Sequence, residues 1–202
     1  MLEQWPAAGA PRRDAFTTVG HWRSYGSIEH GGIRYGQRAH SLRELISLPR
    51  LTGARFQLAL GIHPDETADL EALDADGWEL LDPVEVAGTP ARYQGFIAES
   101  KAELGVAKSG YAASRCGWFS DRSAAYLASG RPVVAQDTGF GDFLPIGEGL
   151  LAFSTAAAAA AAVEEVNSQW ERHSVAARAL AQEHLDSDRV LGRLIERLGS
   201  AR

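Results

Sequence analysis

The sequence predicts an α/β fold, a Rossmann-like three-layer sandwich with a mostly parallel sheet of about six strands and a helical C-terminal tail. Two observations carry this. Short β-rich runs alternate with stretches of helical spacing from residue 15 to about residue 173, which is the order of βαβ units. Helix start signals, Thr89-Pro90, Ser120-Asp121 and Ser154-Thr155, fall between those runs. The 202 residues suit one domain. Hydrophobic residues at 45% and charged residues at 23% place the chain among soluble globular proteins. No stretch approaches the roughly 20 apolar residues of a membrane helix, so no membrane span is expected.

Residues 1–14, broken by Pro6, Gly9 and Pro11, read as an extended lead-in, and 15–202 as the domain. Residues 16–19 (FTTV) form a first strand ending at Gly20. A polar loop covers 21–37, within which 27–35 can make a small hairpin turning at Gly31-Gly32. Apolar positions 42, 45, 46 and 48 give a helix that Pro49 ends. Residues 56–60 form a second strand, 65–75 a helix with acids in its first turn, and 78–81 a short third strand. A helix opens at Thr89-Pro90 and runs to about Ser100. Residues 102–107 are a fourth strand. Ser120 caps a helix that stops at Gly130. Residues 132–136 and 149–153 are the fifth and sixth strands. Ser154-Thr155 caps a run of seven alanines that continues as a helix to about His173; alanine is the best helix former, so this run reads as an ordinary packed helix. A last helical stretch covers about 175–198, with a break near 186–188.

Charge and cysteine usage narrow the function classes. A net charge of −6 gives no reason to expect a nucleic-acid partner. The single cysteine, Cys116, excludes an intramolecular disulfide and fits a reducing compartment. It reads as a buried structural thiol, the alternative being a thiol activated by Arg115. The first residues lack the apolar core of a signal peptide, so a cytoplasmic location is expected. Histidines 21, 30, 40, 63, 173 and 184 show no metal spacing, and Asp74-Ala-Asp-Gly77 reads as a turn between helix and strand, so no metal is expected.

Ligands of parallel α/β sheets bind beyond the carboxyl ends of the strands, which directs attention to residues just after Val19, Ala107 and Gln136. The first strand runs into GHWRSYG (residues 20–26), which is not GxGxxG. Arg23 and Ser24 there can meet a phosphate, or Arg23 is a solvated loop arginine. The densest segment, SRCGWFSDR (residues 114–122), feeds a helix N-terminus, where free amides and the dipole favour an anion. Ser120 and Arg122 can add hydrogen bonds. Asp121 either complements the dipole or accepts a ligand hydroxyl. In QDTGF (residues 136–140), Asp137 either binds sugar hydroxyls or shapes a turn. Trp22, Trp118 and Phe140 can stack on a ring or belong to the core.

The run YLASGRPVVA (126–135), DTGF (137–140) and GEGLLAF (147–153) resembles the donor-binding half of GT-B glycosyltransferases, where a helix enters a small-x-Gly-x-Pro-Val-Val strand. RCGWFS (115–120) is similar to the His-Cys-Gly-Trp-Asn-Ser stretch of nucleotide-sugar-dependent transferases. The resemblance is firmest over 104–153 and extends more weakly from 16 to the C-terminus. It implies that Gly20, Arg23, Ser24 and Ser120, Asp121, Arg122 face a diphosphate, and that Asp137, Thr138, Gly139 and Phe140 lie near the donor sugar. It departs from the pattern at Gly117 and Ala125, where many retaining members carry glutamates. The resemblance further implies no cofactor but a nucleotide-diphosphate sugar as donor, an acceptor of unknown identity, and an acceptor-binding domain or a homo-oligomer partner. A non-catalytic nucleotide- or sugar-binding module is the alternative. A hydrolase or isomerase of a phosphorylated metabolite is another, with Asp121 or Asp137 as its base.

Overall fold

The computed structural model describes residues 2–199. Strand β1 (Arg13–His21) begins inside the stretch read as lead-in and runs two residues past Val19. It is long because it pairs on both sides, with Phe16 opposite both Phe56 and Ala102. The hairpin β2 (Ile28–His30) and β3 (Ile33–Tyr35) follows as read, with Gly31 and Gly32 at φ 59° and 76°. That turn demands positive φ at both central positions, which glycine adopts without cost. Next come α1 (Arg38–Glu44), α2 (Leu48–Thr52), β4 (Phe56–Gly61), α3 (Thr67–Ala75), β5 (Glu79–Leu80), α4 (Pro83–Ala87) and α5 (Pro90–Glu99). The second half holds β6 (Ser100–Gly105), α6 (Ser109–Ser114), α7 (Asp121–Ala128), β7 (Val133–Gln136), β8 (Leu150–Phe153), α8 (Ala156–Ser168), α9 (Trp170–Leu180) and α10 (Ser187–Gly199).

The six-stranded sheet has the order β5-β4-β1-β6-β7-β8, parallel at every pairing. The order reverses between β1 and β6, and a crevice opens outside the carboxyl ends of strands at such a reversal. Alternate residues of each strand serve opposite faces. Val134 and Leu151 join Leu42, Leu48, Val163 and Val166 of α1, α2 and α8 on one face. Val133, Ala135 and Leu150 join Ile97, Tyr126, Leu127, Ala177 and Leu180 of α5, α7 and α9 on the other. The three layers expected from the alternation are therefore present.

Several boundaries differ from the sequence reading. Pro49 does not end a helix. It sits in the first turn of α2, where its missing N–H would have no partner anyway. Two short helices were not anticipated. Asp82 caps α4 by accepting from the Val84 N–H, with Pro83 in the first turn. The six residues of α6 are too few to show periodicity. The alanine helix ends at Ser168, and Gln169 breaks the chain before α9. His173 therefore lies inside α9, where its Nδ1 accepts the Gly149 N–H at 3.1 Å. Gly149 has φ +74°, and a Cβ there would stand 2.4 Å from the Ala177 nitrogen. The β7–β8 turn thus touches the α9 backbone directly, and only glycine fits. The expected break near 186 is present: a π-turn, Ala181–Leu185, ends at Asp186. Beyond it α10 buries no residue, and Leu191, Leu194, Ile195 and Leu198 are exposed. Among the described residues no helix is long and apolar enough to cross a membrane.

Candidate functional site

The crevice lies where the order reverses. Gly20 and His21 at the end of β1, Gly105 to Ala107 after β6, and residues 118–123 at the start of α7 enclose about 270 Å³. Its chemistry rests on a few side chains.

The principal one is Arg38, in the first turn of α1. Its Nε donates to the Val106 carbonyl at 2.9 Å and its Nη1 to the His21 carbonyl at 2.8 Å. These carbonyls belong to the two strand ends that flank the reversal. No carboxylate lies within ion-pair distance of Arg38 among the described residues. Burial, and then repulsion from Arg122, lower its pKa to about 10. A Cβ on Gly20 would stand 2.4 Å from Arg38 Nη1, so the glycine makes room for the guanidinium. Lys108 adds a second cation. Its Nζ lies 3.9 Å from the Tyr25 ring centroid and 5.6 Å from that of Tyr111, and it too has no acidic partner among the described residues. Asp121 is the one carboxylate on the crevice lining.

Arg122 lines the crevice but is committed elsewhere. Its Nε donates to Glu103 Oε1 and its Nη1 to the Val19 carbonyl at 2.8 Å. Burial opposes its charge, and Glu103 more than offsets this, holding Arg122 above its usual range. Glu103 is fully buried, and its Oε2 has no hydrogen-bond partner among the described residues. The pair ties α7 to the ends of β1 and β6. Ser120 caps α7, its Oγ accepting the Arg122 N–H at 3.2 Å.

Of the sequence-read residues, the crevice brings together Gly20, Ser24, Ser120, Asp121, Arg122, Thr138 and Phe140. Phe140 is buried, against Phe119. Arg23 lies elsewhere, paired with Glu66. Asp137 bonds Arg115 at 3.0 Å and accepts the Gly139 N–H at 2.8 Å, facing a separate cavity beyond α6. Both of its sequence readings placed it in a loop, and its bond to Gly139 is the turn-forming one. Gly139, at φ +92°, lies against the Arg115 carbonyl and serves the turn. Ala125 is buried in the core and Gly117 turns the loop at φ +74°, so neither position brings an acid to the crevice. Trp22 is core, donating to Asp69, whereas Trp118 is half-exposed at the crevice lip.

Cys116 corrects the reading of a buried thiol: it is exposed. Arg115, at φ 45°, ends α6 in a left-handed turn that carries the next residue outward. Arg38 and Lys108 were not singled out from the sequence. Lys108 immediately follows Ala107, a strand end already marked for inspection. Arg38 gave no local signal, because it reaches the crevice from the start of a helix 17 residues after β1.

Asp69 anchors the neighbouring region. It accepts two bonds from Arg43, each 2.8 Å, and one from Trp22. The Arg43 bonds, resisted by burial, hold its carboxyl below the usual carboxylate range. Its contribution is thus present above about pH 4 and lost as pH falls through the lowered value. Asp69→Asn is expected to cost about 1–3 kcal/mol at pH 7, and to flatten the loss of stability below pH 4. Urea unfolding at pH 7 and pH 3 checks both.

No family model matches the chain, and no curated protein matches it by sequence. Among solved structures, 95% of the chain superposes on 36% of TarM, with a TM-score of 0.59 and 14% identity. In the GtfA/B complex, 90% of the chain superposes on 35% of one chain, with a TM-score of 0.53 and 15% identity. The chain therefore spans about a third of the length of these structures. Both are GT-B glycosyltransferases, and what the chain shares with them is the fold of a GT-B half-domain.

Proposed function

We propose that the chain is the C-terminal, donor-binding half of a glycosyltransferase, and that the crevice takes the diphosphate of a nucleotide-diphosphate sugar. Arg38 carries this reading. A partly buried guanidinium held by two carbonyl oxygens, with no carboxylate within ion-pair distance among the described residues and Glu103 acting on it only from farther off, is under-compensated, and an anion relieves it. The first turn of α7, whose positive dipole end remains although Ser120 takes the Arg122 N–H, lines the same crevice. When the bond from the sugar's anomeric carbon to the diphosphate oxygen breaks, the electron pair stays on that oxygen. Arg38 and the α7 amides are placed to stabilise that developing charge.

The acceptor, in this reading, is held by a second domain or chain. The span of about a third of TarM and the exposed apolar residues of α10 favour such a partner. GtfA/B is itself a complex. The hydrolase or isomerase alternative loses one of its two candidate bases, because Asp137 is turned toward Arg115.

Calorimetric titration with UDP, GDP and ADP, each beside its nucleoside, tests the reading. At least one diphosphate is expected to bind, with its nucleoside about 100-fold weaker. If no nucleoside diphosphate binds and none raises Tm, the reading fails.

A further inference from the structure

The hairpin of β2 and β3 packs against α6, and the gap between them is a slot of about 430 Å³. Tyr25, Tyr35, Tyr111 and Ile28 border it, with Ser114 and Cys116 at its edge. Its form is fixed by close packing. A Cβ on Gly110 would stand 3.1 Å from Tyr35 Cβ, so the hairpin is seated hard on α6 beside the gap. No acidic or basic residue belongs to the lining. Lys108 is seated on two of the slot's walls: its ammonium stands over the Tyr25 and Tyr111 rings without an acidic partner among the described residues. Lys108 lines the crevice, and the Tyr111 ring that it faces borders both the crevice and the slot.

Flat apolar walls favour a planar ring, since aromatic faces stack at close range. An unpaired ammonium at one end favours an anionic substituent on that ring. We propose that the slot is a second ligand site, which takes an aromatic ring bearing a carboxylate, with the carboxylate paired to Lys108. The assignment stands on the slot and Lys108 and is independent of the donor reading.

4-Hydroxybenzoate is the probe, titrated by NMR line-shape and saturation transfer. Benzyl alcohol supplies the ring without the charge, and cyclohexanecarboxylate the charge without the ring. Saturable binding of 4-hydroxybenzoate is expected, with each comparison probe at least about tenfold weaker. Lys108→Met is expected to reduce 4-hydroxybenzoate to the level of benzyl alcohol and leave benzyl alcohol unchanged. Ser114→Trp, at an exposed edge position, fills the slot and is expected to abolish binding with Tm unchanged. Bound 4-hydroxybenzoate is also expected to slow alkylation of Cys116, the chain's single cysteine. Absence of saturable binding, equal binding of cyclohexanecarboxylate, or binding that survives Ser114→Trp each overturns the proposal. Nucleoside diphosphate titration of the Ser114→Trp protein separates this failure from failure of the donor reading, since Ser114 does not line the crevice.

Discussion

Arg122→Met is expected to lower stability by about 3–5 kcal/mol, the range for removing one partner of a buried ion pair. The loss comes less from the missing attraction than from what remains. Glu103 is fully buried, and its Oε2 already lacks a hydrogen-bond partner among the described residues. Without Arg122 its other oxygen would lose its cation as well, leaving an ionised carboxylate in the core or forcing it to take up a proton. The Val19 carbonyl would also lose the Nη1 donor. The double variant Glu103→Leu, Arg122→Met removes both charges and is expected to recover most of the loss, because well-packed apolar pairs often match buried ion pairs. Urea unfolding of the two single variants and the double variant supplies the cycle. A loss below about 1 kcal/mol in Arg122→Met would mean that water reaches Glu103 and that the pair does not tie α7 to the sheet.

The contrast between Arg122 and Arg38 marks what the sequence can convey. Strands with regular apolar runs and helices with paired start signals were legible, because those signals are local. Thr89-Pro90, Ser120 and Thr155 each cap the helix they announce. Pieces of five or six residues, such as α4 and α6, escape because they are shorter than two helical turns. The strand ends to inspect were legible too, since ligands of parallel sheets bind beyond them, but the strand order that joins β1 to β6 was not. Side-chain commitments were not. Arg122 sits one residue into a helix start, where sequence reasoning aims it at an anion. Its carboxylate partner lies 19 residues back, on β6. Arg23 is drawn off in the same way by Glu66, 43 residues ahead. Arg38 is left for the crevice because, among the described residues, no carboxylate comes within ion-pair distance of it, and that is a property of the assembled fold.

Arg38→Met is therefore expected to behave oppositely to Arg122→Met. Its folded pKa of about 10 lies below that of an unperturbed guanidinium, so the fold disfavours its charged form. That penalty is present at all pH values below about 10 and is relieved as pH rises above that value. Methionine removes the penalty and also the donors to the His21 and Val106 carbonyls, two effects of opposite sign. Stability without ligand is expected to stay within about 1 kcal/mol of the parent. Affinity for a nucleoside diphosphate is expected to fall about 100-fold, as two charge-assisted hydrogen bonds are lost. Arg38→Lys keeps the charge without the planar fork and is expected to recover only part of the affinity. An anion that pairs with the charged guanidinium raises its pKa, so affinity is expected to decline once pH passes about 10, earlier than for an ordinary arginine. Calorimetric titration from pH 8 to pH 11, with the fold checked by circular dichroism, reads both effects. Diphosphate affinity unchanged by Arg38→Met would place the anion elsewhere and remove the observation on which the donor reading stands.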